Sequence, residues 1–105
     1  SLFLNNNNLK SIDLNTFLAL ASLINLDLSN NLIEILKEGA FNGLFNLNKL
    51  EIKSNSLKQI QKYTFRDLNK FMPLPYFELD SQRIENLDSF AFNGLSNLIS
   101  LSISK

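Results

Sequence analysis

Residues 23–33 read LINLDLSNNLI. Leu26 and Leu28 alternate with Asn25, Asp27 and Ser29, the period-two pattern of a short strand with one buried and one wet face. Apolar residues recur at Leu23, Leu26, Leu28 and Ile33, with Asn31 set between the last two. The stretch therefore reads apolar-x-x-apolar-x-apolar-x-x-Asn-x-apolar. The same frame returns as LNKLEIKSNSL from Leu47, LPYFELDSQRI from Leu74 and LISLSISK from Leu98, and LFLNNNNL from Leu2 enters it partway through.

Downstream of each strand segment come an apolar residue (Ile12, Leu36, Ile60, Leu87), a phenylalanine (Phe17, Phe41, Phe65, Phe92) and a leucine (Leu20, Leu44, Leu68, Leu95). The phenylalanines are 24, 24 and 27 residues apart. The longer last step explains why AFNGLFNLNKL at Ala40 is echoed by AFNGLSNLISL at Ala91, 51 residues later. The extra three residues lie in KFMP, residues 70–73. A fixed period of this length is the mark of a repeat architecture. It divides the single domain into a partial repeat 1–22, repeats 23–46, 47–73 and 74–97, and a partial repeat 98–105.

The pattern resembles the leucine-rich repeat, in its 24-residue type with Phe in the second half, and the resemblance covers essentially the whole chain. That type is found in ectodomains similar to those of Toll-like receptors, Slit proteins and leucine-rich proteoglycans. The resemblance implies an α/β solenoid, a right-handed superhelical horseshoe segment. A parallel β-sheet would line its concave face, and irregular or short helical turns its convex side. It also implies a piece of a longer array lacking both caps.

Physical chemistry assigns each column a task. Stacking identical units sets their strands side by side, about 4.8 Å apart. At the turn after each strand, Asn7, Asn31 and Asn55 carry both donors and an acceptor, and are expected to satisfy backbone groups that water does not reach. Gln82 takes the fourth rung of this ladder. The four phenylalanines are expected to stack as a buried spine, each burial contributing roughly 1.5–3 kcal/mol.

With the inward positions filled by packing, recognition falls to the outward ones. Their central row is Phe3, Asp27, Glu51, Glu78 and Ser102, flanked by Ser1, Asn25, Lys49, Tyr76 and Ser100 and by Asn5, Ser29, Lys53, Asp80 and Ser104. Asn25, Asp27, Ser29, Lys49, Glu51, Lys53, Tyr76, Glu78 and Asp80 form the candidate partner-binding surface. Tyr76 is its candidate aromatic anchor. The competing view is a merely solvated row neutralised by Lys49 and Lys53. A second candidate is KFMPLPYF (70–77), where Pro73 and Pro75 stiffen the lengthened unit, Phe71 is expected in the core and Met72 exposed; the competing and favoured view is a tolerated bulge whose Met packs back onto the coil.

Composition excludes several functions. Ten basic residues balance ten acidic ones, so no global field draws the chain to nucleic acid. The longest apolar run, residues 17–21, falls far short of the roughly 20 residues a membrane-spanning helix needs, and no direct membrane contact is expected. No targeting signal is legible at the start SLFLNN, and the natural N-terminus is expected to lie elsewhere. Histidine and cysteine are absent. The serines thus have no imidazole to activate them, and no thiolate or imidazole metal site forms. Open carboxylates beside lysines and the lack of a pocket-forming element argue against acid catalysis. No cofactor, no metal and no enzymatic activity are expected, and no Asn-x-Ser/Thr acceptor occurs.

The chain is therefore read as a protein-recognition module of an extracellular or cell-surface receptor or matrix protein, binding a partner on its concave face. A cytoplasmic scaffold or a structural spacer is the alternative. Apolar cross-sections at both ends, Leu2 with Leu4 and Leu101 with Ile103, lead to an expectation of marginal stability or self-association for this piece alone.

Overall fold

The computed structural model describes residues 1–68, 74, 76–80, 84–93 and 101–104, with residues 80 and 101–104 described by their backbone alone. The expectations for Phe71, Met72, Pro73, Pro75, Gln82, Leu95 and Ser100 lie outside these residues.

The frame folds as its periodicity predicts. Strands β1 (Leu2–Phe3), β2 (Ser11–Ile12), β3 (Asn25–Asp27), β4 (Ile35–Leu36), β5 (Lys49–Ile52), β6 (Gln59–Ile60), β7 (Tyr76–Asp80), β8 (Asn86–Leu87) and β9 (Leu101–Ser104) alternate between two sheets. The odd-numbered strands make a five-stranded parallel sheet in the order β1-β3-β5-β7-β9. Its register joins equivalent positions of the repeat, Leu2 to Leu26 to Leu50 to Phe77 to Leu101. The even-numbered strands make a second parallel sheet, β2-β4-β6-β8, so each coil crosses from one sheet to the other. Among the described residues the far side is built of turns rather than helix.

The core lies between the sheets and these turns. Leu26, Leu28, Leu50, Ile52, Phe77 and Leu79 come from the first sheet or its margins, and Ile12, Leu36 and Ile60 from the second. The phenylalanines stack face to face along the coil axis. Ring centroids are 6.0 Å apart for Phe17–Phe41, 5.5 Å for Phe41–Phe65 and 5.8 Å for Phe65–Phe92, with planes within 8° of parallel. Phe77 closes on Phe65 edge-on at 5.1 Å, tying the spine to the first sheet. Leu20 and Leu87, equivalent to core leucines elsewhere, depart from the pattern with 39% and 53% exposure.

Hydrogen bonds between coils run in columns. The Asn31 amide donates toward the carbonyls of Leu4 (2.9 Å), Leu28 (3.0 Å) and Ser29 (3.2 Å), and its oxygen accepts the Leu9 N–H at 3.3 Å. Asn55 repeats the arrangement one coil on, donating to Leu28 (3.1 Å) and Lys53 (3.2 Å) and accepting from Ile33 at 3.1 Å. Asn7, in the first coil, is exposed and bonds the carbonyls of Leu4 and Asn5. Two columns of left-handed backbone mark the corners: Asn6, Asn30 and Ser54 after the first-sheet strands, and Asn15, Gly39, Tyr63 and Phe90 after the second-sheet strands. Along the second column Asn15 N–H donates to Gly39, Gly39 to Tyr63 and Tyr63 to Phe90, at 3.0–3.3 Å.

Candidate recognition surface

The strand alternation that buries Leu26, Leu50 and Phe77 turns the residues between them outward. Register sets Asp27 beside Glu51 and Glu51 beside Glu78, with Phe3 heading the row; Lys49 joins Asn25 to Tyr76 in the next row. Asp80 lies in register with Ser104 at the end of β7.

Ion pairs temper the acidic row. The Lys49 ammonium is 3.0 Å from Glu51 Oε1, and the Lys53 ammonium 2.8 Å from Glu78 Oε2. The hydrogen bond and charge of Glu51, with the charges of Glu78 and Asp27 behind it, hold Lys49 above its ordinary pKa of 10.5. Asp27 is used differently: its Oδ1 accepts the Ser29 N–H at 2.9 Å, and none of the described ion pairs involves it. The Asn25 amide donates to the Ser1 hydroxyl at 3.1 Å.

Two expectations need correction. Ser29 does not face outward. Strand β3 ends at Asp27, the chain turns, and the buried Ser29 hydroxyl accepts the Lys53 N–H at 3.1 Å, so it bridges coils. Nor does the face lack a hollow, as the expected absence of a pocket-forming element implied. Phe3, Asn25, Leu26, Asp27, Lys49 and Glu51 line a depression of about 190 Å³. Phe3 was absent from the candidates picked out by sequence, although its place at the head of the Asp27 row marks it. Phe3 is 66% exposed, and Tyr76, on the fourth strand of the sheet, is 57% exposed. Among the described residues no group of three or more carboxylate, thiol or imidazole side chains is placed to hold a metal, and no helix is long and apolar enough to cross a membrane.

Parallel coils in register at steps of 24 and, once, 27 residues, with leucine, asparagine and phenylalanine columns, define a leucine-rich β-solenoid. The leucine rich repeat family profile matches residues 1–57 and 25–74, and the chain belongs to that family. It is 37% identical over 84 residues to Toll-like receptor 3 of Bos taurus and 36% identical over 84 residues to Toll-like receptor 3 of Boselaphus tragocamelus. Each alignment covers 78% of this chain and 9% of the relative, so the chain spans about a tenth of the length of these relatives. Family and relatives together mark it as a protein-interaction module.

Proposed function

We propose that the chain is a non-enzymatic recognition segment of an extracellular, receptor-type leucine-rich repeat array, and that it engages a protein partner through the outward face of its five-stranded sheet. The observation that carries this reading is that Phe3 on β1 and Tyr76 on β7, both largely exposed, stand on either side of β3 and β5, which carry Asp27 and the ion-paired Lys49 and Glu51, with Lys53 paired to Glu78 beside them. Exposed aromatics on a rigid sheet are costly to leave wet and match the composition of interface hot spots. Asn25 extends the surface along β3, and Asp80 continues the strand register at the end of β7. Its similarity to Toll-like receptor 3 supports the receptor and cell-surface setting.

A photo-reactive residue replacing Tyr76, presented to the outer surface of intact cells, tests the reading. A specific adduct that disappears on Glu51→Lys with Glu78→Lys is expected. Adducts formed only from a probe at Phe90, on the turn after β8, or unaffected by the charge reversals, would sink the proposal.

A further inference from the structure

The depression between β1, β3 and β5 is matched to one kind of side chain. At about 190 Å³ it is smaller than the roughly 300 Å³ at which small-molecule sites begin, so it suits a single residue of a partner. Its floor is the buried Leu26. One wall is the exposed ring of Phe3, whose backbone is in register with Asp27. Glu51 already holds the Lys49 ammonium and Glu78 the Lys53 ammonium, whereas Asp27 has no cation among the described ion pairs. The single hydrogen bond described to its carboxylate is at Oδ1.

An aromatic face beside such a carboxylate discriminates between cations. An ammonium is compact and strongly hydrated, and Lys49 shows that ammonium groups on this face go to glutamate instead. A guanidinium is planar and weakly hydrated; it stacks on aromatic rings and forks onto carboxylates. We propose that this depression seats an arginine side chain of the protein partner, its guanidinium lying against Phe3 and bonded to Asp27, with Glu51 and Asn25 on the rim. The inference rests on the proposed use of this face and adds the chemistry of the residue that enters it. Lys49 then opposes binding, because its positive charge borders the same depression.

The test uses N-acetyl-arginine methylamide and its lysine counterpart as probes, titrated into the isotope-labelled chain and followed by amide chemical shifts. The arginine probe is expected to shift the amides of Phe3, Asn25, Asp27, Lys49 and Glu51 saturably in the millimolar range, and the lysine probe to bind more weakly. Asp27→Asn retains an acceptor for Ser29 N–H and is expected to weaken the arginine probe by about fivefold. Lys49→Ala is expected to tighten it by about threefold. Phe3→Leu, at an exposed site, provides a second variant and is expected to reduce the preference for arginine over lysine. Shifts that are absent or scattered, equal affinity in Asp27→Asn, or weaker binding in Lys49→Ala would overturn the proposal. If the shifts fail while the Tyr76 adduct still depends on Glu51 and Glu78, the arginine pocket falls and the recognition face stands.

Discussion

The Phe41 ring lies 5.5 Å from the Phe65 ring, with the two planes 7° from parallel, although 24 residues separate them in the chain. Both side chains are fully buried, and Phe41 is also stacked on Phe17. Phe41→Ala therefore opens a cavity with an aromatic wall on each side that close packing prevents from collapsing. A loss of about 3–5 kcal/mol is expected in urea unfolding, with Phe41→Leu recovering much of it.

The asparagines form a graded series. Replacing Asn31 by Leu strands the Leu9 N–H and removes one of the two donors to each of the Leu4, Leu28 and Ser29 carbonyls, which keep Asn7, Asn55 and the Asn6 N–H; at this buried turn the loss is expected to be about 3 kcal/mol. Asn55→Leu is expected to cost about 2 kcal/mol, because its site is partly open to solvent. Asn7→Leu, at an exposed turn, is expected to cost under about 1 kcal/mol. Equal losses across the three, measured by the same unfolding curves, would contradict the burial argument.

Gly43 has φ +91°, and a Cβ there would sit 2.8 Å from the Leu18 carbonyl oxygen and 3.0 Å from its Cα. Both contacts are with backbone of the neighbouring coil, which does not swing aside. Gly43→Ala is expected to destabilise by more than about 1 kcal/mol. Its N–H donates to Asp67 Oδ2 at 2.9 Å, so Asp67→Ala is expected to loosen the same turn, seen as faster amide exchange at Gly43.

Lys49 carries a pH signature. Its pKa is raised in the folded chain, chiefly by the hydrogen bond to Glu51, so folding favours the protonated form. The associated stabilisation is fully present below 10.5, the unfolded value, and is lost as pH rises through the higher folded midpoint. NMR titration of the Lys49 ε-methylene is expected to show a midpoint above 10.5 that falls in Glu51→Gln. A wild-type midpoint at or below 10.5 would refute this.

The parallel solenoid was legible because each column repeats one residue type at one offset. Leu26 with Leu50, Asn31 with Asn55 and Phe41 with Phe65 state the register before any coordinates exist. The second sheet was not legible: Ile12, Leu36 and Ile60 each sit in a two-residue strand, too short to show alternation. Ser29 was misassigned because the period of two ends with β3 and the next residues turn. The exposure of Leu20 and Leu87 depends on which coils flank them, and a leucine in the first coil is spelled like one in the middle. The outward row of Asp27, Glu51 and Glu78 could be read from the period. Its ion pairs, and the hollow beside Phe3, depend on side-chain conformations across three strands that sequence spacing does not encode.

The columns of bonds joining equivalent corners, Asn15 to Gly39 to Tyr63 to Phe90, have a consequence for how such a chain tolerates insertions and deletions. Removing or adding a whole coil leaves every remaining leucine, asparagine and phenylalanine opposite its own kind. Losing one residue from a strand puts a leucine in water and an acid in the core throughout that coil. Copy number is therefore the cheap variable in this architecture, and spacing within a coil the expensive one.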